Sequence, residues 1–158
     1  MIRGAPPHWD LEADLVAVGS GCGGLSAAIS AHDHGASALV LERTEQVGGV
    51  TAYSPGNHHA AALGIEDSPE SGLRYVDGLS MGYADGALML NQAIHGPAML
   101  KWFEERIGLR MMVIRDCPDY YYGSSNDSVA EGRLLEVEPF DATTLGNWQE
   151  RTRVSPHV

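Results

Sequence analysis

The chain has 158 residues, enough for one domain with a hydrophobic core and too few for two of ordinary size. Hydrophobic residues make up 44% and charged residues 20%, a balance that excludes a disordered chain or a fibre. Ten Lys and Arg against 21 Asp and Glu leave a formal net charge of −11. That charge repels phosphate backbones and anionic lipid, setting nucleic acid and membrane surfaces aside as main partners.

No stretch approaches the roughly 18 apolar residues of a bilayer span. Residues Met1 to His8 lack the apolar core of a signal peptide. Cys22 and Cys117 lie far apart and form neither a disulfide framework nor a metal pattern. A cytoplasmic, reduced protein is expected.

Asp14 to Val18, apolar and β-branched, reads as a short buried strand. It runs into Gly19-Ser20-Gly21-Cys22-Gly23-Gly24, which contains G-x-G-x-x-G, and then into Leu25 to Ala31, small and apolar residues suited to a helix packed closely on a sheet. Gly35 stops that helix. Ser37 to Leu41 reads as a second buried strand, with Glu42 at its end, 18 residues after Gly24. Each part has a physical role. Gly19 permits the tight turn, Gly21 lets backbone approach a pyrophosphate, and Gly24 lets helix and strand touch. The helix start offers free N–H groups and a positive dipole end. Glu42 suits both ribose hydroxyls of an adenosine without a 2′-phosphate. G-x-G-x-x-G alone is weak evidence; strand, loop, helix, strand and terminal acid in one stretch is strong. The plainer alternative is a glycine-rich turn in an ordinary βαβ unit.

A plain NAD fold would continue into another helix and a third parallel strand. Here a second glycine pair, Gly48-Gly49, follows within seven residues of Glu42, with Thr51 and Ser54 behind it. Bare backbone with small hydroxyls accommodates a ligand extending beyond the first pyrophosphate site, which favours FAD.

Leu73, Val76 and Leu79 suit an amphipathic helix between Asp67 and Gly82, started by Ser68-Pro69-Glu70. Asp85 caps a second helix running to His95. Gly96-Pro97 is expected to break it and start a third, with Pro97 at the first helical position. Met99, Leu100, Phe103 and Ile107 form its core stripe, and Gly108 its C-cap. Leu109 to Ile114 and Arg133 to Val137 read as strands. Between them lies a polar loop from Cys117 to Ser128 with three consecutive tyrosines, Tyr120 to Tyr122. From composition alone those tyrosines are solvated packing residues. The tail from Arg151 onward ends without a closing element. The seven histidines give no ligand spacing: His32 and His34 fall on different helix faces, and His58 and His59 point apart, so no metal site is expected.

At Gly19 to Leu25, Val40-Leu41-Glu42-Arg43 and Val47 to Ser54 the sequence resembles the FAD-dependent oxidoreductase family of fumarate reductases and 3-ketosteroid Δ1-dehydrogenases. The likeness runs through nearly the whole chain from Asp14. Later segments are similar to the ketosteroid dehydrogenase side: Gly64 to Glu70, Pro118-Asp119-Tyr120-Tyr121, and Gly132-Arg133 through Glu138 to Asp141. The resemblance implies an α/β fold, the N-terminal part of a Rossmann-like FAD-binding domain followed by helices and a small accessory sheet. About 12–62 would be the dinucleotide-binding βαβ and flavin loop, and 63–158 the helical and accessory-sheet segment. Gly19, Gly21, Gly23 and Gly24 would face the pyrophosphate, Glu42 the ribose, and Gly49 to Ala52, Thr51 among them, the flavin end, with Ser20, Arg43 and Gly48 as further cofactor-binding residues. FAD would be non-covalent, because the Ser-His-Thr segment that carries covalent flavin in succinate dehydrogenases is absent. Val50 stands where Ser or Thr is common and Pro55 where Gly is common, which implies a local difference in the flavin loop. Cys22 sits where Ala is usual and reads as a small packing residue.

The implied reaction is desaturation beside a ketone: a base takes the α-proton and hydride leaves the β-carbon for flavin N5. The substrate would be a small molecule, a steroid ketone among the candidates. Tyr121, with Tyr120 as second choice, would support the proton-abstracting tyrosine, a role suited to a phenol whose pKa of about 10 hydrogen bonds can lower. The remaining sheet strands, substrate cap and proton-abstracting tyrosine of the family come later in its chains. These 158 residues therefore read as a first portion, inactive alone. Other readings are a truncated, non-catalytic remnant, a fumarate-reductase-type enzyme, or a small NAD-binding dehydrogenase, the last short of sheet strands.

Overall fold

A computed structural model describes residues 8–54, 58–60 and 67–155. Pro55, Gly64 to Glu66 and the outermost residues of both termini, all named above, lie outside the described residues, as does the side chain of His58. The chain forms two compact units. The first is Met1–Pro55 with Asp141–Val158, and the second is Gly56–Phe140.

In the first unit, β1 (Leu15–Val18), α1 (Cys22–Asp33) and β2 (Ala38–Leu41) form the expected βαβ, with the strands parallel in register from Leu15 opposite Ala38 to Val18 opposite Leu41. The helix packs on both strands. Its alanines keep the separation short, and Ala28 is its buried contact. Gly35 (φ +82°) turns the chain after the helix. The entries to the two strands are locked reciprocally: Ser37 N and Oγ donate to Asp14 Oδ2 (2.9 and 2.7 Å), and Asp14 N donates back to Ser37 Oγ (3.0 Å).

The strands are less buried than expected. Ala17 is buried, whereas Val16, Leu41 and above all Val18, 87% exposed, are open to solvent. Among the described residues this sheet has two strands, so one face and both edges lack a covering layer. After β2 the chain makes a 3₁₀ turn at Gly49–Tyr53. Residues 141–155 belong to this unit: a 3₁₀ turn at Ala142–Leu145 capped by Asp141, a helical turn at Trp148–Arg151, then a parallel bridge between Val47 and Thr152.

The second unit contains β3 (His58–His59), α2 (Pro69–Ser80), α3 (Gly86–Ile107), β4 (Met111–Val113) and β5 (Leu134–Val137). β5 lies between β3 and β4, antiparallel to both. The predicted caps form. Ser68 Oγ accepts from Ser71 N (3.1 Å), Asp85 Oδ1 accepts from Ala87 N (2.8 Å), and Gly108 takes the left-handed conformation. Ala60, Leu100 and Leu135 make the core cluster, with Met111 and Val113 packed on it.

Two expectations for α3 are corrected. Gly96-Pro97 does not end a helix; Pro97 sits inside a continuous 22-residue one. A proline there forfeits its own N–H bond and crowds the carbonyl four residues back. Packing against α2 and burial of Leu100 and Phe103 hold the axis together despite that loss. Of the expected stripe only Leu100 and Phe103 are buried; Met99 falls on the flank and Ile107 in the last turn, both exposed. No helix among the described residues is long and apolar enough to cross a membrane.

Candidate functional site

The first unit holds the two glycine loops. A Cβ on Gly24 would lie 2.1 Å from the Gly19 carbonyl oxygen, so the first turn of α1 presses directly on the end of β1. A Cβ on Gly49 would lie 3.0 Å from Gly21 Cα, and its φ of +55° is left-handed. The second glycine pair is thus laid backbone to backbone on the first. Gly23, by contrast, faces open space.

Ser20, fully buried, joins these parts. Its N–H and hydroxyl both donate to Glu42 Oε2 (3.1 and 2.6 Å), while Gly48 N donates to Ser20 Oγ (3.1 Å) and to its carbonyl (3.2 Å). Glu42 Oε1 accepts from Thr44 N and Oγ1, each at 3.0 Å. The Ser20 hydroxyl first, then the Thr44 and Ser20 amides, hold the Glu42 carboxyl down at about 2. Thr51 Oγ1 accepts from Cys22 N (3.0 Å), capping α1 from outside where its own N-cap, Gly21, offers no side chain. Ala52 N donates to the Gly48 carbonyl (3.3 Å). Arg43 and Cys22 are exposed. Cys22 Sγ lies 3.8 Å from Ser26 Oγ, so the residue does not pack as expected.

Arg153 was not singled out by the sequence. Its Nη1 donates to the Tyr53 hydroxyl (3.0 Å) and its Nη2 to Thr44 Oγ1 (3.3 Å), and the guanidinium carbon stands 5.7 Å from the Tyr53 ring centroid. Its Nε is shielded from water and has no hydrogen-bond partner. The tail does close, through Val47 N to Arg151 O (2.7 Å) and Arg153 N to Val47 O (2.9 Å). The only sequence signal for it is the strand-like alternation of Arg151 and Arg153 with Thr152 and Val154.

The second unit carries the tyrosine loop. Tyr120, Tyr121 and Tyr122 are all exposed. Beneath them lies a buried ionic network centred on Arg133, whose five N–H groups are all engaged. Nε and Nη2 donate to the two carboxylate oxygens of Asp67 (2.6 and 2.9 Å). Nη2 also donates to Ser71 Oγ (2.8 Å), and Nη1 to Asp119 Oδ2 (2.9 Å) and the Asp127 carbonyl (2.8 Å). Burial works against both charges, and their pairing outweighs it: Arg133 is raised above its ordinary value and Asp67 lowered below its own. Tyr75, buried, lies with its ring centroid 5.4 Å from the guanidinium carbon and accepts from Tyr121 N at its hydroxyl (3.2 Å). His59 stacks on Tyr75 and reaches Asp119 Oδ1 (3.1 Å). Asp67, Asp119 and Arg133 come from the three later segments that carried the resemblance; no sequence signal marked Tyr75 or the role of His59. Among the described residues no three His, Cys, Asp or Glu side chains cluster as metal ligands.

The structure therefore gathers Gly19 to Gly24, Glu42, Gly48, Gly49, Thr51 and Ala52 in the first unit, and places Tyr120 and Tyr121 in the second. A βαβ with two interlocked glycine loops and an acid at the end of β2 defines a dinucleotide-binding flavoprotein fold. Residues 14–158 match the FAD binding domain family, and the chain belongs to it. It is 35% identical over 147 residues to 4-oxocyclohexanecarboxylate 2-dehydrogenase of Sinomonas cyclohexanicum, covering 89% of this chain and 25% of the relative. It is 32% identical over 141 residues to 3-oxosteroid 1-dehydrogenase of Mycobacterium tuberculosis, covering 85% of this chain and 25% of that one. The crystal structure of 3-ketosteroid delta1-dehydrogenase from Sterolibacterium denitrificans, in complex with 1,4-androstadiene-3,17-dione, superposes with a TM-score of 0.85 at 30% identity. It covers 90% of this chain and 26% of that one. The chain spans about a quarter of the length of these relatives. The site fits the family's cofactor: the Gly23 face at the start of α1 is open, and the close backbone approaches at Gly24 and Gly49 hold the two glycine loops together.

Proposed function

We propose that this chain is the FAD-binding portion of a flavin-dependent oxidoreductase that desaturates a cyclic ketone beside its carbonyl, most like a 3-ketosteroid Δ1-dehydrogenase. The observation that carries the reading is the Ser20 junction, which ties both glycine loops to Glu42 in one hydrogen-bonded group. Gly19, Ser20, Gly21, Gly23 and Gly24, at the start of α1, hold the pyrophosphate. Glu42 and Arg43 serve the ribose, and Gly48, Gly49, Thr51 and Ala52 line the flavin end. FAD, when bound, supplies the two-electron chemistry. The protein orients it and excludes water. Binding is non-covalent, because the sequence lacks the Ser-His-Thr segment of covalent flavoproteins.

Tyr121, or Tyr120 beside it, acts from the second unit as a support for a proton-abstracting tyrosine in the rest of the protein. All described residues belong to one FAD-binding domain, whose remaining strands and substrate cap the longer protein supplies. The substrate class is a small cyclic ketone, steroids included, and the setting is cytoplasmic.

The test is the absorption spectrum of the purified chain after FAD is added and the excess removed. A retained, perturbed flavin band that denaturation releases supports the reading. A well-folded chain without retained flavin overturns it for these residues.

A further inference from the structure

We propose that Arg153 is a positioning residue of the FAD site, one guanidinium that fixes the ribose end and the flavin end relative to each other. The inference rests on the FAD reading above.

The ribose end is represented by Thr44, whose N–H and hydroxyl hold Glu42 Oε1. The flavin end is represented by Tyr53, the last residue of the 3₁₀ turn that begins at Gly49 and contains Thr51 and Ala52. Arg153 donates to both, 109 residues from the first and 100 from the second. Its backbone is also part of the site wall: Arg153 N donates to the Val47 carbonyl, and a Cβ on Gly48 would lie 3.4 Å from Arg153 Cβ. The side chain and the loop it holds are therefore set by the same short bridge.

Only arginine does this at two points. Its planar fork offers two Nη groups at fixed separation, whereas a lysine ammonium is a single point on a flexible stem. Two of its three nitrogens are engaged, Nη1 at the Tyr53 hydroxyl and Nη2 at Thr44 Oγ1. Arg153 also brings a positive charge to Thr44 and Tyr53 in a chain that is otherwise strongly acidic.

The experiment measures FAD affinity by flavin fluorescence for the wild-type chain, Arg153→Met and Arg153→Lys, together with their thermal midpoints. The expected result is a folded Arg153→Met chain that binds FAD about tenfold or more weakly, with only partial rescue by lysine. A merely structural role would lower the thermal midpoint and leave the affinity of the folded protein unchanged; that outcome overturns the proposal while leaving the FAD reading intact. If Arg153→Met fails to fold, Tyr53→Phe and Thr44→Val remove the two acceptor hydroxyls singly, and unchanged affinity in both overturns it. If the wild-type chain itself retains no FAD, the FAD reading fails for these residues. The proposal, which rests on that reading, falls with it; retained FAD in the wild type with unchanged affinity in the variants overturns the proposal alone.

Discussion

At the scale of single residues, glycines in the same loop do different things. Gly24→Ala would drive a methyl into the Gly19 carbonyl, and backbone at both ends leaves little room to yield. Overpacking of this kind costs about 1–3 kcal/mol, read as a lower thermal midpoint and loss of FAD. Gly23→Ala meets nothing and removes a poor helix former, so the fold should gain about 1 kcal/mol. Its FAD affinity should nevertheless fall, because the added methyl enters the open space we propose for the pyrophosphate. Opposite changes in midpoint and affinity are the signature; a Gly23→Ala chain with unaltered FAD binding would put the pyrophosphate elsewhere. Glu42 sets an acid limit. Its carboxyl lies at about 2 in the fold against an ordinary 4.5, so the stability it contributes is complete above 4.5 and lost as pH falls toward 2. In Ser20→Ala the largest cause of that depression is gone, and carboxyl NMR should show Glu42 titrating closer to its ordinary value.

At the scale of elements, the legible parts were those with a local code. β1, α1 and β2 carry their periodicity, stops and acid within one stretch, and the caps Ser68, Asp85 and Gly108 act over two to four residues. Pro97 shows the limit of that code. A local rule ends the helix there, but packing against α2, which no local pattern reports, carries it through. The Arg133 network shows another limit. Asp67, Asp119 and Arg133 stand in segments of a family likeness, yet nothing in their spacing says that 66 and 14 residues of chain fold back to one guanidinium. Arg133→Met strands two buried carboxylates and should cost about 3–5 kcal/mol, measured by denaturant unfolding. Tyr75→Phe removes only the acceptor for Tyr121 N and should cost about 1 kcal/mol. The loss should be accompanied by faster amide exchange at Tyr121; unchanged exchange there would mean the loop is held by its anchors at Asp119 and Asp127.

At the scale of the whole molecule, composition and charge read as those of a globular chain, and the dinucleotide signature foretold the βαβ of β1, α1 and β2. The return of residues 141–155 to that unit was illegible, because a bridge between Val47 and Thr152 depends on a pairing more than a hundred residues long. The short sheet leaves Val16, Val18 and Leu41 in water, a row that a third strand or a second layer would cover. The chain on its own should therefore associate as concentration rises, against the repulsion of its net charge. Sedimentation of wild type and Val18→Thr at low and high salt checks this: salt should promote association, and the threonine should reduce it.

The Glu42 carboxylate already accepts four hydrogen bonds, as many as its lone pairs allow. A ribose arriving there is a competitor rather than a guest: each hydroxyl it offers must displace or share a bond from Ser20 or Thr44. Loading is then an exchange reaction whose pace is set by how often those bonds open, so the observed rate should level off at high cofactor concentration instead of rising in proportion to it.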